Sequence, residues 1–207
     1  MLIFGESEND TNALKAFLEG LGVSDGLDVV AHRQPQVLIK DATTRSAPAR
    51  ADAITAVVDA AMVDRDIVAV FAHEDCDAVE PAHVDLAAKI EAAFAAKGYD
   101  FVFAATPAWE METWLMQWPD ALALYRPSWR DVSGYSGRNV GMIANAKEDL
   151  TRSLRPGRGR TRDYRESDAP AIARVVASQG WTRSPRATSG SWSAFVSRAD
   201  GARSGAA

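Results

Sequence analysis

The chain has 207 residues, of which 47% are hydrophobic and 25% are charged, and its formal net charge is −5. A chain of this length can bury a sizeable core in one domain, and this composition argues against global disorder. No apolar run approaches the roughly 18 residues of a membrane span, a lone cysteine excludes an internal disulfide and a cysteine-based zinc site, and the early acidic residues exclude a secretory signal. We therefore expect a cytoplasmic protein without a membrane partner.

Charge is distributed unevenly along the chain. Residues 1–120 contain 21 acidic and 8 basic residues, a net charge of −13, whereas residues 121–207 contain 7 acidic and 15 basic residues, a net charge of +8. An acidic part can hold cations, and a basic part can contact phosphates. Solvated acidic helix faces and a basic tail that aids solubility would give the same counts, so the asymmetry leaves both interpretations open.

Strands and helices are predicted to alternate over residues 1–120. Short apolar runs typical of buried strands occur at 1–4, 37–39, 67–71 and 100–105. Apolar residues at three- and four-residue intervals predict helices at 10–20, 51–62 and 81–97, and a short aromatic helix follows at 109–118. This order predicts an α/β fold whose mainly parallel sheet has helices on both faces.

The alternation ends after residue 120. Residues 121–182 are predicted to form a helical and loop extension that packs on the α/β domain, with helices at 140–150 and 168–178. Residues 183–207 are rich in serine, arginine, glycine and alanine, which predicts a basic, partly flexible tail. Trp192 and Phe195 are the tail residues that we expect to dock on the body.

Acidic residues follow three of the four predicted strands. Glu6 follows the first strand, Asp75 and Asp77 follow the third, and Glu110 and Glu112 follow the fourth. Because ligands of open α/β sheets bind beyond the carboxyl ends of the strands, we expect these carboxylates to gather there. A hard cation with oxygen ligands, Mg²⁺ or Mn²⁺, would offset their repulsion, so the sequence predicts a metal site.

Several of these residues and their neighbours also have structural explanations. Asp10 is assigned first to a helix cap and second to the metal site, and Asp77 could form an Asx turn or cap the next helix. His73 is a candidate outer partner of the metal or a general base, although a lone histidine at a strand end is more often structural. Glu110 and Glu112 are two positions apart, so on a helix one of them should face the site, and Glu112 is our choice.

Basic residues of the C-terminal part are candidate phosphate contacts. They lie in two loops rich in glycine and arginine: Arg138, Arg155, Arg158 and Arg160. The chain has no phosphate-binding P-loop motif and no glycine-rich dinucleotide motif after a strand, so the common routes to ATP and NAD binding are excluded.

Three short motifs of the chain resemble those of the Toprim family: Gly5-Glu6, Asp75-x-Asp77 and Glu112-x-Trp114-Leu115. That family includes primases, topoisomerases, recombination proteins and the OLD-type nucleases. The chain is most similar to a branch of small bacterial proteins that includes the RloB-like proteins. The resemblance covers about residues 1–120, and a weaker one extends to Tyr164 and the helix that follows it.

The resemblance implies a Toprim-like, Rossmann-like fold and Mg²⁺- or Mn²⁺-dependent cleavage of phosphodiester bonds. Glu6 corresponds to the Toprim glutamate, a general acid/base or metal ligand, and Asp75 and Asp77 correspond to the metal ligands. Glu112 corresponds to the acidic residue of the aromatic motif and is assigned to the metal site. The expected partners are nucleic acid, DNA in the first place, an ABC- or AAA-type ATPase of a bacterial phage-defence system, and a second copy of the chain.

Two other functions fit the same sequence. The chain could be a catalytically silent Toprim-like subunit that docks an ATPase, since it has six tryptophans and tryptophan is favoured at interfaces. Large aromatic residues also fill cores, so this composition does not decide the matter. The chain could instead be a metal-dependent phosphohydrolase that acts on small substrates.

Overall fold

A four-stranded parallel sheet organises the protein, and the computed structural model describes residues 1–155 and 162–205. The strand order is β2-β1-β3-β4. The strands are β1 (Leu2–Phe4), β2 (Val30–His32), β3 (Val70–His73) and β4 (Val102–Ala105). All three strand pairs are parallel, so the four carboxyl ends lie at one edge. The predicted α/β class with a parallel, Rossmann-like sheet is confirmed.

Eight α-helices lie within the described ranges: α1 (Glu8–Gly20), α2 (Ala47–Met62), α3 (Ala82–Ala95), α4 (Met111–Leu115), α5 (Pro119–Tyr125), α6 (Ala146–Leu154), α7 (Ala169–Ser178) and α8 (Gly190–Gly205). They cover both faces of the sheet, because Ile3 and Phe71 belong to one hydrophobic core and Leu2 and Val70 to another. Successive side chains of a strand point to opposite faces, so the two cores lie on opposite sides of the sheet. No helix of the described ranges is long and apolar enough to cross a bilayer.

An aromatic cluster joins the C-terminal part to the α/β domain. The ring of Phe195 stacks 4.8 Å from that of Trp114, and Trp192 lies 4.9 Å from both Phe17 and Trp118. All five residues are at most 3% exposed. The expected docking of Trp192 and Phe195 is confirmed, and these tryptophans fill the core.

Two regions differ from the sequence prediction. The tail predicted to be partly flexible contains helix α8, which the aromatic cluster holds against the body. In the segment 37–39, predicted as a strand, Val37 and Ile39 are buried and Leu38 is exposed. The segment does not pair with the sheet, and β2 lies earlier at Val30–His32. The buried carboxylate of Glu74 accepts the backbone N–H groups of Ile39 and Lys40, at 3.0 and 2.9 Å, in place of a strand partner.

A glutamate holds the start of α8. The carboxylate of Glu80 accepts hydrogen bonds from the Ser189 hydroxyl at 2.6 Å, the Ser191 backbone N–H at 2.9 Å and the Asn139 amide at 3.3 Å. Burial alone would raise the pKa of Glu80, but these donors outweigh it and the pKa lies below its ordinary value. Glu80 is therefore a charged cap for α8 that comes from a distant part of the chain.

Replacing Glu80 by alanine should lower the free energy of unfolding by about 2 kcal/mol, because it leaves partly buried donors without an acceptor. Urea denaturation followed by circular dichroism measures the loss. The matched control is Glu19→Ala, a change of an exposed glutamate at the end of α1. Equal losses in the two variants would contradict the capping role of Glu80.

Candidate functional site

Five of the predicted acidic residues line one pocket at the carboxyl edge of the sheet. The pocket has a volume of about 290 Å³, and its predicted carboxylates are Glu6, Asp10, Asp75, Glu110 and Glu112. Glu166 and Lys147, from the C-terminal part, complete the charged lining. We call this cavity the acidic pocket. Six carboxylates against one ammonium give it an excess of negative charge.

Asp75 lines the acidic pocket directly after β3. Its side chain is 18% exposed, and its Oδ1 atom is buried without a hydrogen-bond partner among the described residues. The ring Nε2 of His73 lies 3.5 Å from that atom. Burial, followed by the charges of Asp10 and Glu6, raises the pKa of Asp75 well above its ordinary value. Among the described residues, no lysine or arginine side chain pairs with this carboxylate.

Glu6 lies beside Asp75 just after β1. Burial raises the pKa of Glu6, and the ammonium group of Lys40 and the backbone N–H of Asp75 oppose that shift. The side-chain amide of Gln36 donates to the backbone carbonyl of Glu6 at 2.6 Å, which fixes the turn after the strand. Glu6 is thus held in the pocket lining by contacts with Gln36 and with the backbone of Asp75.

Glu112 forms the innermost acid of the pocket with a tyrosine partner. The hydroxyl of Tyr164 donates to Glu112 Oε1 at 2.7 Å, and both residues are 4% exposed. Burial raises the pKa of Glu112 to about 7, although the hydrogen bond from Tyr164 favours the charged form. A carboxyl group with this pKa exchanges its proton near neutral pH, as a general acid or base must.

Lys147 closes one side of the pocket. Its backbone N–H donates to Glu110 Oε1 at 2.8 Å, and its ammonium group lies 3.5 Å from Glu110 Oε2 and 2.9 Å from Glu166 Oε1. These contacts raise the pKa of Lys147, and the hydrogen bond with Glu166 has the largest effect. Neither Lys147 nor Glu166 was predicted, because nothing in the local sequence links them to the strand ends of the sheet.

Two expectations about local structure were wrong. The cap of α1 is Ser7, whose hydroxyl accepts from the Asp10 backbone N–H at 3.2 Å and donates to the Asp10 carboxylate at 2.6 Å. Asp10 also lines the pocket. Glu110 and Glu112 both line the pocket, because Glu110 is the extended N-cap of α4 and not a helical residue. The helix rule that separates positions two apart therefore does not apply to this pair.

The remaining predicted residues lie elsewhere. His73 is fully buried behind Asp75, and burial lowers its pKa. Asp77 is 63% exposed and pairs with Lys40 outside the acidic pocket. The exposed arginines Arg138 and Arg155 are not part of the pocket lining, and Arg155 lies 3.5 Å from the carboxylate of Asp163. The other two predicted contacts lie outside the described residues: Arg158 and Arg160.

The chemistry of the acidic pocket fits a hard divalent cation. Its ligand atoms are carboxylate oxygens, which Mg²⁺ and Mn²⁺ prefer, and the Oδ1 of Asp75 has no hydrogen-bond partner among the described residues. As the side chains stand, no group of three or more histidine, cysteine, aspartate or glutamate residues in the described ranges is arranged to hold a metal ion. The donors are therefore of the right kind, and binding would require the carboxylates to turn toward a common point.

Comparisons of the chain with protein-family models, with curated proteins and with solved structures found no match. The Toprim resemblance therefore rests on the three sequence motifs. The case for a function rests on the geometry and charge of the acidic pocket.

Proposed function

We propose that the acidic pocket is the active site of a Toprim-type nuclease that hydrolyses phosphodiester bonds with Mg²⁺ or Mn²⁺. The observation that carries the proposal is the enclosed, unpaired carboxylate of Asp75 among acidic neighbours at the carboxyl edge of a parallel sheet. Burial, and then the charges of Asp10 and Glu6, raise the pKa of Asp75, so an ionised carboxylate costs free energy at this position. A divalent cation would return that free energy on binding.

We assign Asp75 and Glu6 as ligands of the cation. Asp10 and Glu110 line the same pocket. When bound, Mg²⁺ would neutralise a phosphate oxygen and make a water molecule a better nucleophile. Asp77 is left out of this ligand set because its carboxylate is paired with Lys40.

Glu112 is the residue that we assign to proton transfer. Its pKa of about 7 allows it to accept a proton from the oxygen of the attacking water at neutral pH. Tyr164 orients the carboxylate through its hydrogen bond at 2.7 Å. Lys147, paired with Glu110 and Glu166, limits the negative charge of the pocket.

A second candidate is the catalytically silent subunit that docks a partner ATPase. The observation in its favour is that no three side chains of the described ranges are arranged to hold a metal ion. A silent domain would keep the acidic pocket for folding or recognition and would show no response to Mg²⁺.

Cleavage assays on plasmid DNA, single-stranded DNA and single-stranded RNA test the proposal. We expect cleavage of a polynucleotide with Mg²⁺ or Mn²⁺ and none with EDTA, because the carboxylates need a cation to hold a phosphodiester. A Glu6→Gln/Asp75→Asn double variant, purified in the same way, controls for contaminating nucleases.

Two other results of these assays would indicate a function other than the nuclease. Hydrolysis of a chromogenic phosphomonoester without polynucleotide cleavage would indicate the small-substrate phosphohydrolase. Absence of any cleavage, together with no effect of Mg²⁺ on the melting temperature, would support the silent subunit.

A further inference from the structure

A second cavity adjoins the acidic pocket and carries basic groups. It has a volume of about 370 Å³ and shares Glu6 and Gln36 with the acidic pocket. Lys40 and Arg50 supply its positive charge, and Leu38 supplies an exposed apolar side chain. We call it the Lys40–Arg50 cavity. Because two residues form the boundary of both cavities, a ligand could occupy both at once.

We infer that the Lys40–Arg50 cavity binds the phosphates of a nucleic-acid strand next to the bond that is cleaved in the acidic pocket. This inference rests on the proposed nuclease function and gives the site its substrate class, a polynucleotide. It also gives Lys40 a defined task, which is to bind a phosphate of the strand beside Glu6.

The backbone of Lys40 is fixed on both sides. Its N–H donates to Glu74 Oε1 at 2.9 Å, and its carbonyl accepts from the Lys89 ammonium group at 2.6 Å. The preceding N–H, of Ile39, donates to the other oxygen of the same glutamate, and Ile39 itself is fully buried. The protein thus holds the base of the Lys40 side chain rigidly at the rim, which reduces the entropy lost when the ammonium group binds a ligand.

The Lys40 ammonium group is charged and can be released to a ligand. Burial alone would lower its pKa, but Asp77 and then Glu6 outweigh burial, and the pKa is raised. Its partner Asp77 is 63% exposed, so water can solvate that carboxylate once the pair opens. Exposed ion pairs contribute little, about 0–1 kcal/mol, so a phosphodiester, whose negative charge is shared by two oxygen atoms, can replace Asp77.

The acidic residues of the cavity make it a poor site for a free anion, so a ligand must gain other contacts as well. Three carboxylates, of Glu6, Asp41 and Glu74, line it together with the two cations, so a lone phosphate ion would meet more repulsion than attraction. A strand gains additional contacts, because Leu38 is 50% exposed and offers an apolar surface to a sugar or base. A metal ion in the acidic pocket would also bind the next phosphate of the same strand.

Fluorescence anisotropy of a short labelled single-stranded DNA, in Ca²⁺ to slow cleavage, tests the inference. Lys40→Met should weaken binding about tenfold, because it removes one charge-assisted phosphate contact. It should also reduce the slope of log affinity against log salt by about 0.7, the value for one phosphate on a single strand. Inorganic phosphate at the same concentration as the DNA should not compete.

Lys97→Met is the matched control. Lys97 is 27% exposed and pairs with an Asp52 that is 61% exposed, against 25% and 63% for Lys40 and Asp77. Lys97 follows α3 and precedes β4, so it lies at the opposite edge of the sheet from the pocket. Its replacement should leave DNA affinity unchanged. A thermal melt of each variant confirms that it is folded.

Asp77→Asn provides a second, opposite prediction. It removes the carboxylate that competes for Lys40, so DNA binding should tighten by up to about fivefold. Weaker binding in this variant would overturn the exchange of Asp77 for phosphate.

The outcomes separate the inference from the nuclease proposal. Equal affinities of Lys40→Met, Lys97→Met and the unmodified protein would overturn the inference, even if the protein cleaves DNA. The same holds if the unmodified protein does not bind the strand. A loss of affinity in Lys40→Met alone would support the strand site, and it would do so even in a protein that shows no Mg²⁺-dependent cleavage, which would remove the nuclease proposal instead.

Discussion

Replacing Asp75 by asparagine should abolish Mg²⁺-dependent cleavage and raise the melting temperature of the metal-free protein. The carboxylate of Asp75 is the enclosed, unpaired group of the acidic pocket, so its loss removes a central ligand of the proposed cation. A fall in rate of about 10³-fold is expected for a lost electrostatic contact of this kind. Stability should rise because asparagine has the same shape without the charge that burial and acidic neighbours oppose.

The stability of the folded protein should also depend on pH, in a direction that follows from its raised pKa values. Burial raises the pKa values of Glu74 and Glu112 from 4.5 to about 7, and it raises that of Asp75 as well. The folded protein therefore binds more protons than the unfolded chain between these values, so the free energy of unfolding falls as the pH rises from about 4.5 to about 7. Above this pH range the carboxylates are charged, so Mg²⁺ should raise the melting temperature there. Below the range Mg²⁺ should have little effect.

Thermal melts across this pH range, with Mg²⁺ and with EDTA, measure the effect. Each kcal/mol should appear as about 2–4 °C in a chain of this size. The matched control is Asp64→Asn, an exposed aspartate in the loop before β3, at the opposite edge of the sheet. Unchanged cleavage by Asp75→Asn, or a lower melting temperature of this variant at every pH, would remove Asp75 from the proposed site.

Much of the fold could be predicted because three of its four strands lie in short apolar runs and its helices have clear periodicity. The parallel sheet and the helices on both of its faces follow from that alternation. The segment 37–39 has the composition of a strand, but its backbone donors bind the side chain of Glu74, a partner that lies 35 positions away from Ile39. Helix α8 has a sequence typical of a loose tail, and contacts of Trp192 and Phe195 with the core decide its structure instead.

The candidate site was predictable where it depends on strand ends and unpredictable where it depends on tertiary contacts. Glu6 and Asp75 meet because parallel strands place their carboxyl ends at one edge. Asp77 lies apart because its backbone adopts a left-handed conformation, with φ of 50°, which turns its side chain to Lys40. A sequence prediction that assumes an extended chain after β3 does not include that turn. Lys147 reaches the pocket from the C-terminal part, and no local pattern marks such a residue.

Replacing Glu112 by glutamine should lower the cleavage rate by about 10²–10⁴-fold and remove the change in rate that occurs near pH 7. Glutamine keeps the size and a hydrogen-bond acceptor for Tyr164, but it cannot exchange a proton with the attacking water. The loss should appear in kcat, since the phosphate contacts of the substrate are unchanged. The pKa of about 7 that burial gives Glu112 is the reason to expect the transition in this range.

Tyr164→Phe separates proton transfer from a structural role of the same pair. The Tyr164 hydroxyl donates to Glu112 Oε1 at 2.7 Å and favours the charged carboxylate against burial. Its removal should therefore shift the transition in the pH–rate profile to higher pH, while the variant retains a measurable rate above that transition. A structural role alone would lower the rate equally at every pH. If the transition stayed in place in both Tyr164→Phe and Glu112→Gln, proton transfer would belong to another carboxyl group of the pocket, and Glu6, whose pKa is also raised by burial, would be the next residue to replace.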